Sequence, residues 1–458
     1  MKARRLFTTS VILLCISFSL LASKTLEGGK MFSKPVKSYR GEALQGNTTA
    51  AKTDIVSTFT MDRTYADNAF EINSTNLEIR NFPINTKENA DVVLEKAPSI
   101  IDANTIWIAD GADGEKRFQG PAIISFRGKI KNNPSSKVFL SYSGGYLTGY
   151  VESGDGYKYD ITTAKEEYLK GRSVISIAEQ NYNNIGKEAT EIFKDYSDEE
   201  SLQGFIDGLT EDDIMKGADN EVQGWKTGLL ECKIAIDAEY SYFKLMGNDS
   251  LVAARYIASV MSHVSYIYEE YLNVRITVPY VIIRTTEASD PYIKNNKKTF
   301  TEKLYYMITL WSTLPNNSAL VCLFCSLRST QDGSATAGIS CGGVPGTGSL
   351  CNAIDKRGYS VFGIEGSYTY PNYNYTWDVS VAAHEIGHNF GAPHTHSCYY
   401  KPNMIDTCVT KTKPLAVGDA CLDGDYIPRL GTIMSYCHVG NETHSVDLSF
   451  HPREIGHM

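Results

Sequence analysis

The chain has 458 residues, 42% of them hydrophobic and 21% charged, which suits a globular protein of two or three domains with ample chain for a core. A formal net charge of -9 argues against a nucleic-acid partner. At the N-terminus, Met1 to about Ser23 reads as a secretory signal. Lys2, Arg4 and Arg5 precede an apolar run from Leu6 to Leu21, and the small residues Ala22 and Ser23 follow. Thr8, Thr9, Ser10, Ser17 and Ser19 interrupt that run, which makes it short and polar for a membrane anchor. No other stretch approaches ~18 uninterrupted apolar residues. The expectation is a secreted, extracellular protein (periplasmic or at the cell surface in a bacterium) with no stable membrane insertion after signal cleavage.

Residues 24–231 contain no cysteine, whereas nine lie from Cys232 onward. With export, that density argues for disulfides in the second half, and the break suggests two domains. The first looks β-rich from about Thr105 to Ile161. Lys137–Tyr142 and Tyr146–Val151 flank Ser143-Gly144-Gly145 as a hairpin, and Gly154-Asp155-Gly156 marks the next turn. Residues 182–224 are polar and acidic, as a linker carrying some helix would be. The boundaries expected are a signal at 1–23, a β-rich domain with its linker at 24–224, and a second domain at 225–458.

In the second domain, Glu231–Asp237 alternates as a strand does. Asp249 is placed to cap a helix reaching Leu272, with Val252, Tyr256, Val260, Val264, Ile267 and Tyr271 along one face. His263 lies off that line, so a surface or capping role is expected. Val274–Ile283 is a strand, Phe300–Thr313 a helix, Ala319–Leu327 a strand, Thr336–Ser340 an edge strand and Tyr359–Ile364 another strand. Cys322 and Cys325, at i and i+3 of a strand, point to opposite faces about 10 Å apart. They are expected to form separate bonds or remain buried thiols. Cys398, Cys408, Cys421 and Cys437 are expected to staple the segment that follows the next helix.

That helix, capped by Asp378, carries His384-Glu385-Ile386-Gly387-His388, followed by Gly391 and His394. His384 and His388 at i and i+4 leave one helix face together. Gly391 can take the left-handed conformation that turns the chain and brings His394 to the same place. Three imidazoles leave the fourth position of a tetrahedral Zn2+ for water, the layout of a catalytic site, and Glu385 is placed to take that water's proton. A chance match at these five positions has odds of about 10⁻⁵ in a chain of this length. Eight of the nine histidines fall between His384 and His457, which also points away from accident.

About forty residues after His394 comes Gly431-Thr432-Ile433-Met434-Ser435-Tyr436. With it the chain resembles the metzincin zinc proteases, whose long histidine motif is followed by a methionine turn. Ala382-Ala383-His384-Glu385 and the order of elements are most similar to the reprolysin or ADAM-like branch. The resemblance implies an α/β (α+β) zincin fold with a mixed sheet and active-site helix. It further implies zinc on His384, His388 and His394, Glu385 as general base, and Met434 as an apolar floor that is also core. Phe126–Ile161 resembles the end of a reprolysin propeptide, so the first domain is expected to be propeptide-like; an independent β domain is the alternative.

The substrates implied are extracellular proteins or peptides. A catalytically silent zinc-containing binding or adhesion module, and a zinc amidase or glycan hydrolase, are the other readings. Two features depart from the family pattern. Thr395, followed by His396, stands where ADAM-like enzymes place Asp, which opens a choice between His394 and His396 as third ligand. A propeptide cysteine cannot block the zinc, because the first domain has none. Tyr436, two residues beyond Met434, either faces the metal, as in astacin-like relatives, or packs beside Cys437. His451–Met458 reads as the first turns of a closing helix with Pro452 at its start, and with nine mature cysteines it predicts that the chain continues.

Overall fold

The computed structural model describes residues 24–39, 55–70, 75–85, 87–154, 157–179, 228–327, 338–340, 358–364, 375–397, 400, 404–408, 430–437, 445–456 and 458. The signal segment, the acidic linker, Asp155, Trp225, Cys398 and Cys421 lie outside them. Strands β1 (Lys24–Glu27), β2 (Val36–Tyr39), β3 (Ile55–Thr60), β4 (Asn76–Pro83), β5 (Asn89–Lys96), β6 (Ile106–Gly111) and β7 (Gly114–Arg117) come first. They are followed by β8 (Ile124–Ile130), β9 (Lys137–Ser143), β10 (Tyr146–Glu152), β11 (Lys158–Thr163) and β12 (Val174–Glu179). Ten of these form one sheet in the order β1-β4-β5-β8-β9-β10-β11-β12-β3-β2, antiparallel except at β1 and β4. The expected hairpin is present: β9 and β10 pair from Ser143 and Tyr146 outward, and Gly144 and Gly145 turn at φ +52° and +84°. Such angles suit glycine, which has no Cβ to clash.

The second half adds β13 (Leu230–Ala238), β14 (Val274–Arg284), β15 (Leu320–Ser326), β16 (Gly338–Ser340) and β17 (Tyr359–Ile364). These form a mixed sheet in the order β16-β17-β15-β13-β14-β6-β7. The β-rich stretch expected from Thr105 therefore divides: β6 and β7 leave their sequence neighbours and extend the sheet of the second half. β16 is antiparallel to β17 at the opposite edge, and it lies within Thr336–Ser340, where an edge strand is expected. β15 is buried along both faces, as a central parallel strand is. Cys322 belongs to one core and Cys325 to the core on the other face, and both are buried thiols.

The long helix Ser250–Leu272 lies between the two sheets. Its first turn is capped by Asp249, whose Oδ1 accepts from Leu251 N and Val252 N at 2.8 and 2.9 Å. It ends at Asn273 in the left-handed region, φ +55°. The apolar line from Val252 to Ile267 fills the core beneath the mixed sheet. The stripe Arg255, Ser259, His263, Tyr266 and Glu270 faces the ten-stranded sheet. Arg255 Nε donates to Ser143 Oγ at 3.2 Å, Ser141 Oγ to Ser259 Oγ at 3.4 Å, and Lys137 pairs with Glu270 at 3.2 Å.

His263 is thus not on the surface, contrary to the helical-line expectation. Its ring stacks on Phe139 at 4.4 Å and 14°, and it is 1% exposed. A stripe rich in polar residues resembles a solvent face; here it is covered by a second layer. Asp378 also departs from expectation. The motif helix runs Tyr375–Asn389, so Asp378 sits inside its first turn, where its carboxylate accepts from the Tyr256 hydroxyl of the long helix. Among the described residues, no helix is long and apolar enough to cross a membrane.

Burial pushes the His263 imidazole down to about 3. In the unfolded chain the ring takes a proton below about 6.5. The unfolded state therefore binds more protons between those values, and stability falls as pH drops through that window. By pH 5 the loss from this residue is about 2 kcal/mol. His263→Phe, which keeps a flat ring on Phe139, is expected to remove that part of the acid slope, as read by urea melts at pH 7 and pH 5.

Candidate metal centre and active site

The motif helix is anchored before it presents any ligand. The Tyr268 hydroxyl of the long helix donates to Ala383 O at 2.9 Å, and Asn389 Nδ2 donates to Tyr359 O of β17 at 3.3 Å. Val379, Ala382, Ala383 and Ile386 face the core, which leaves His384 and His388 one turn apart on another face. The helix stops as a Schellman motif. Gly391 N donates to His388 O at 2.9 Å, Ala392 N donates to Gly387 O at 3.0 Å, and Gly391 sits at φ +94°. That reversal returns the chain, so His394 meets the other two histidines.

The three Nε2 atoms converge. His384 and His388 are 3.1 Å apart, His388 and His394 3.1 Å, and His384 and His394 3.2 Å. His384 Nδ1 lies 2.8 Å from Ile433 O, and His388 Nδ1 lies 2.8 Å from Ala392 O. A carbonyl can only accept, so both Nδ1 atoms carry the proton and donate, and both Nε2 lone pairs face inward. Nitrogen donors around one tetrahedral zinc stand about 3.3 Å from each other, so this donor set fits that ion. His394, rather than His396, shares the cluster. His396 stacks on the His394 ring at 5.1 Å and 11°, fully buried.

Met434 is buried against the helix at Gly387. A Cβ on Gly387 would lie 2.7 Å from Met434 Sδ, so glycine at this motif position lets the methionine approach. Thr432 to Ser435 is a tight turn closed by Ser435 N donating to Thr432 O at 3.0 Å. The turn supports two ligands through its backbone: Ile433 O orients His384, and Met434 O accepts from Thr395 N, next to His394, at 3.2 Å. Neither carbonyl has a side-chain signature that a sequence can show. The Cys408–Cys437 disulfide ties the turn to the strand of chain after the motif, as the staple expectation requires.

Tyr436 is 6% exposed, with its ring centroid 4.7 Å from that of His394 and 6.2 Å from that of His384. It is therefore beside the histidine cluster as well as beside Cys437. Glu385 follows His384 by about 100° around the helix and is buried.

Two further carboxyls lie below the site. Burial pushes the Asp406 carboxyl up, partly offset by bonds from the Thr395 hydroxyl and the Cys408 N–H. Burial likewise pushes Glu454 up to about 8, against the lowering by His451 N, which it accepts at 2.7 Å. Glu454 and His451 form the capping box of the short helix Pro452–Ile455, whose Pro452 stands at the start, as the sequence predicts. Asp406 and Glu454 carry no motif spacing. Their only sequence signal is acidity beside the histidine-rich segment.

Gly391 generates a stability prediction. Gly391→Ala places a Cβ in the left-handed region and is expected to cost about 1–2 kcal/mol. Gly391→Asn, which tolerates that region better, is expected to cost less. Thermal melting of the two variants, with zinc content measured alongside, checks the order.

The sequence model of a reprolysin branch of metallo-peptidase family M12 matches residues 229–445. No curated protein matches the chain. The matched segment spans β13, the long helix, the mixed-sheet strands of the second half, the motif helix and the methionine turn. A histidine triad positioned to hold a metal, at a Schellman-terminated helix over a buried methionine, agrees with that match, and residues 229–445 are similar to the reprolysin-like metalloproteases of family M12.

Proposed function

We propose that the chain is a secreted zinc endopeptidase acting on extracellular proteins or peptides. The observation that carries the reading is the convergence of three histidine Nε2 atoms within 3.2 Å, next to a buried glutamate on the same helix. His384, His388 and His394 would hold zinc, which when bound would supply a Lewis acid for a water and a substrate carbonyl.

The remaining work falls to the chain. Glu385 accepts the proton of the attacking water on its carboxylate and delivers it to the leaving nitrogen. The Nδ1–H bonds to Ile433 O and Ala392 O hold two imidazoles in one orientation, with Nε2 turned to the cluster. The Tyr436 hydroxyl, on a ring beside His394, donates to the carbonyl oxygen as negative charge develops there. β16, at the sheet edge near the helix, offers main-chain groups to an extended peptide. Residues 24–224 serve as a propeptide-like region, and 1–23 direct export. A silent binding module is disfavoured, since such a site has no use for a base at Glu385.

Purified protein incubated with denatured casein is expected to cleave it, and a chelator is expected to stop the cleavage. Absence of cleavage by zinc-loaded protein would remove the peptidase reading. Glu385→Gln is expected to keep one zinc per chain and lose about 10²–10⁴-fold in turnover, checked by metal analysis together with the casein assay. Tyr436→Phe keeps the ring and its packing. A fall of about 10²-fold in turnover at unchanged melting temperature is expected, and unchanged turnover would make Tyr436 a core residue only.

A further inference from the structure

The outer edge of β14 is occupied by a strand from the first half of the chain. β6 pairs with it in parallel, from Tyr280 opposite Ile106 to Arg284 opposite Asp110, and β7 then folds back on β6. Backbone bonds extend the seam at both ends. Val278 N donates to Ile100 O at 2.7 Å, and Thr285 N donates to Asp110 O at 2.7 Å. The Thr285 and Ser289 hydroxyls also donate to Asp110 O, at 2.9 and 2.8 Å.

The side chains close the seam with charge. Arg284 grips Asp237 of β13 with two parallel bonds, Nε to Oδ1 at 3.0 Å and Nη2 to Oδ2 at 3.1 Å. Its remaining arm, Nη1, donates to Asp110 Oδ2 at 2.9 Å. All three side chains are buried or nearly so, at 8%, 0% and 12% exposure for Arg284, Asp237 and Asp110. A buried guanidinium that loses one of two carboxylates is strongly disfavoured. The apolar layer is shared as well. Ile100, Trp107, Ile123 and Tyr146 lie in one core with Cys232, Ile257 and Val260. Farther along, Lys158 of β11 pairs with Asp447 beside the methionine turn at 2.6 Å.

A propeptide that is discarded after cleavage covers a finished enzyme. Here, removal of the first half strips two strands from the sheet, leaves the β14 backbone edge unpaired, and opens the core at Trp107 and Tyr146. We propose that the first half is a permanent strand-donating subunit of the protease: after any cut within residues 180–227, residues 24–179 stay bound, held by the β6–β14 pairing and the Asp110–Arg284–Asp237 bridge. The partner surface is the outer edge of β14 with the polar stripe of the long helix, and its occupant is the chain's own residues 100–179. The inference rests on the propeptide-like reading of residues 24–224, but not on peptidase activity.

The test uses the full chain with a unique protease site inserted within residues 180–227. After complete cleavage, verified on a denaturing gel, native size-exclusion chromatography with light scattering is expected to show one peak with the mass of the uncut chain. Hydrogen exchange at the amides of residues 281–285 is expected to stay within about twofold of the uncut protein. Two separate peaks in native buffer overturn the proposal. In the cleaved protein, Asp110→Asn is expected to lower the urea concentration at which the two fragments part, and an unchanged midpoint overturns the bridging role given to Arg284. Casein cleavage by the same sample is scored separately, so failure of the peptidase reading leaves the chromatogram decisive.

Discussion

Three imidazole nitrogens held 3.1–3.2 Å apart form the constraint on which the second half of the chain depends. Where Nδ1 carries the proton, Nε2 presents a lone pair, and lone pairs at that distance repel. A divalent cation turns that repulsion into coordination, but the protein must hold the rings together in either case. It does so with backbone oxygen. Ile433 O and Ala392 O each fix one ring's tautomer and orientation, and both oxygens belong to turns whose own geometry is closed by hydrogen bonds.

Two of the rings are therefore braced by the methionine turn and the third by the reversal at the helix end. His384 leans on the methionine turn, His388 on the reversal at Gly391, and His394 on the chain that Thr395 ties to Met434 O. The turn is in turn held by the Cys408–Cys437 disulfide and by Phe450, which meets Tyr268 edge-on at 5.3 Å. Tyr268 also holds the motif helix through Ala383 O. One tyrosine of the long helix thus supports the helix that carries two ligands and the segment that orients one of them. Gly387 completes the arrangement, because a Cβ there would lie 2.7 Å from Met434 Sδ and would force the methionine to shift.

The histidine triad was legible because the information is local. An i, i+4 pair and a glycine at a helix end need no partner from elsewhere, and Gly391 adopts the positive φ that its position requires. Period-2 reasoning likewise places Cys322 and Cys325 in different cores. What was not legible depends on partners distant in sequence. The Ile433 and Ala392 carbonyls carry no residue signature. Asp378 looks like a cap, yet its hydrogen-bond donor is Tyr256, 122 positions away. Ile106–Gly111 falls in the stretch that reads as β-rich, but nothing in its residues names β14 rather than a sequence neighbour as its mate.

The same cause explains His263. A helix between two layers must satisfy two surfaces, and here it does so with different chemistry on each. The line from Val252 to Ile267 is apolar and fills the core of the mixed sheet. The stripe from Arg255 to Glu270 meets the ten-stranded sheet through hydroxyls, a stacked imidazole and ion pairs. Polar contacts of that kind contribute modestly each and are unforgiving when a partner is lost. They give the docking of the two sheets a defined register rather than a large apolar driving force. Apolar burial comes instead from Tyr146 of β10, which enters the core of the mixed sheet beside Trp107 of β6. Specificity and stability are thus carried by separate residues of one contact, and the helix that supports the metal site is finished only when both sheets are in place.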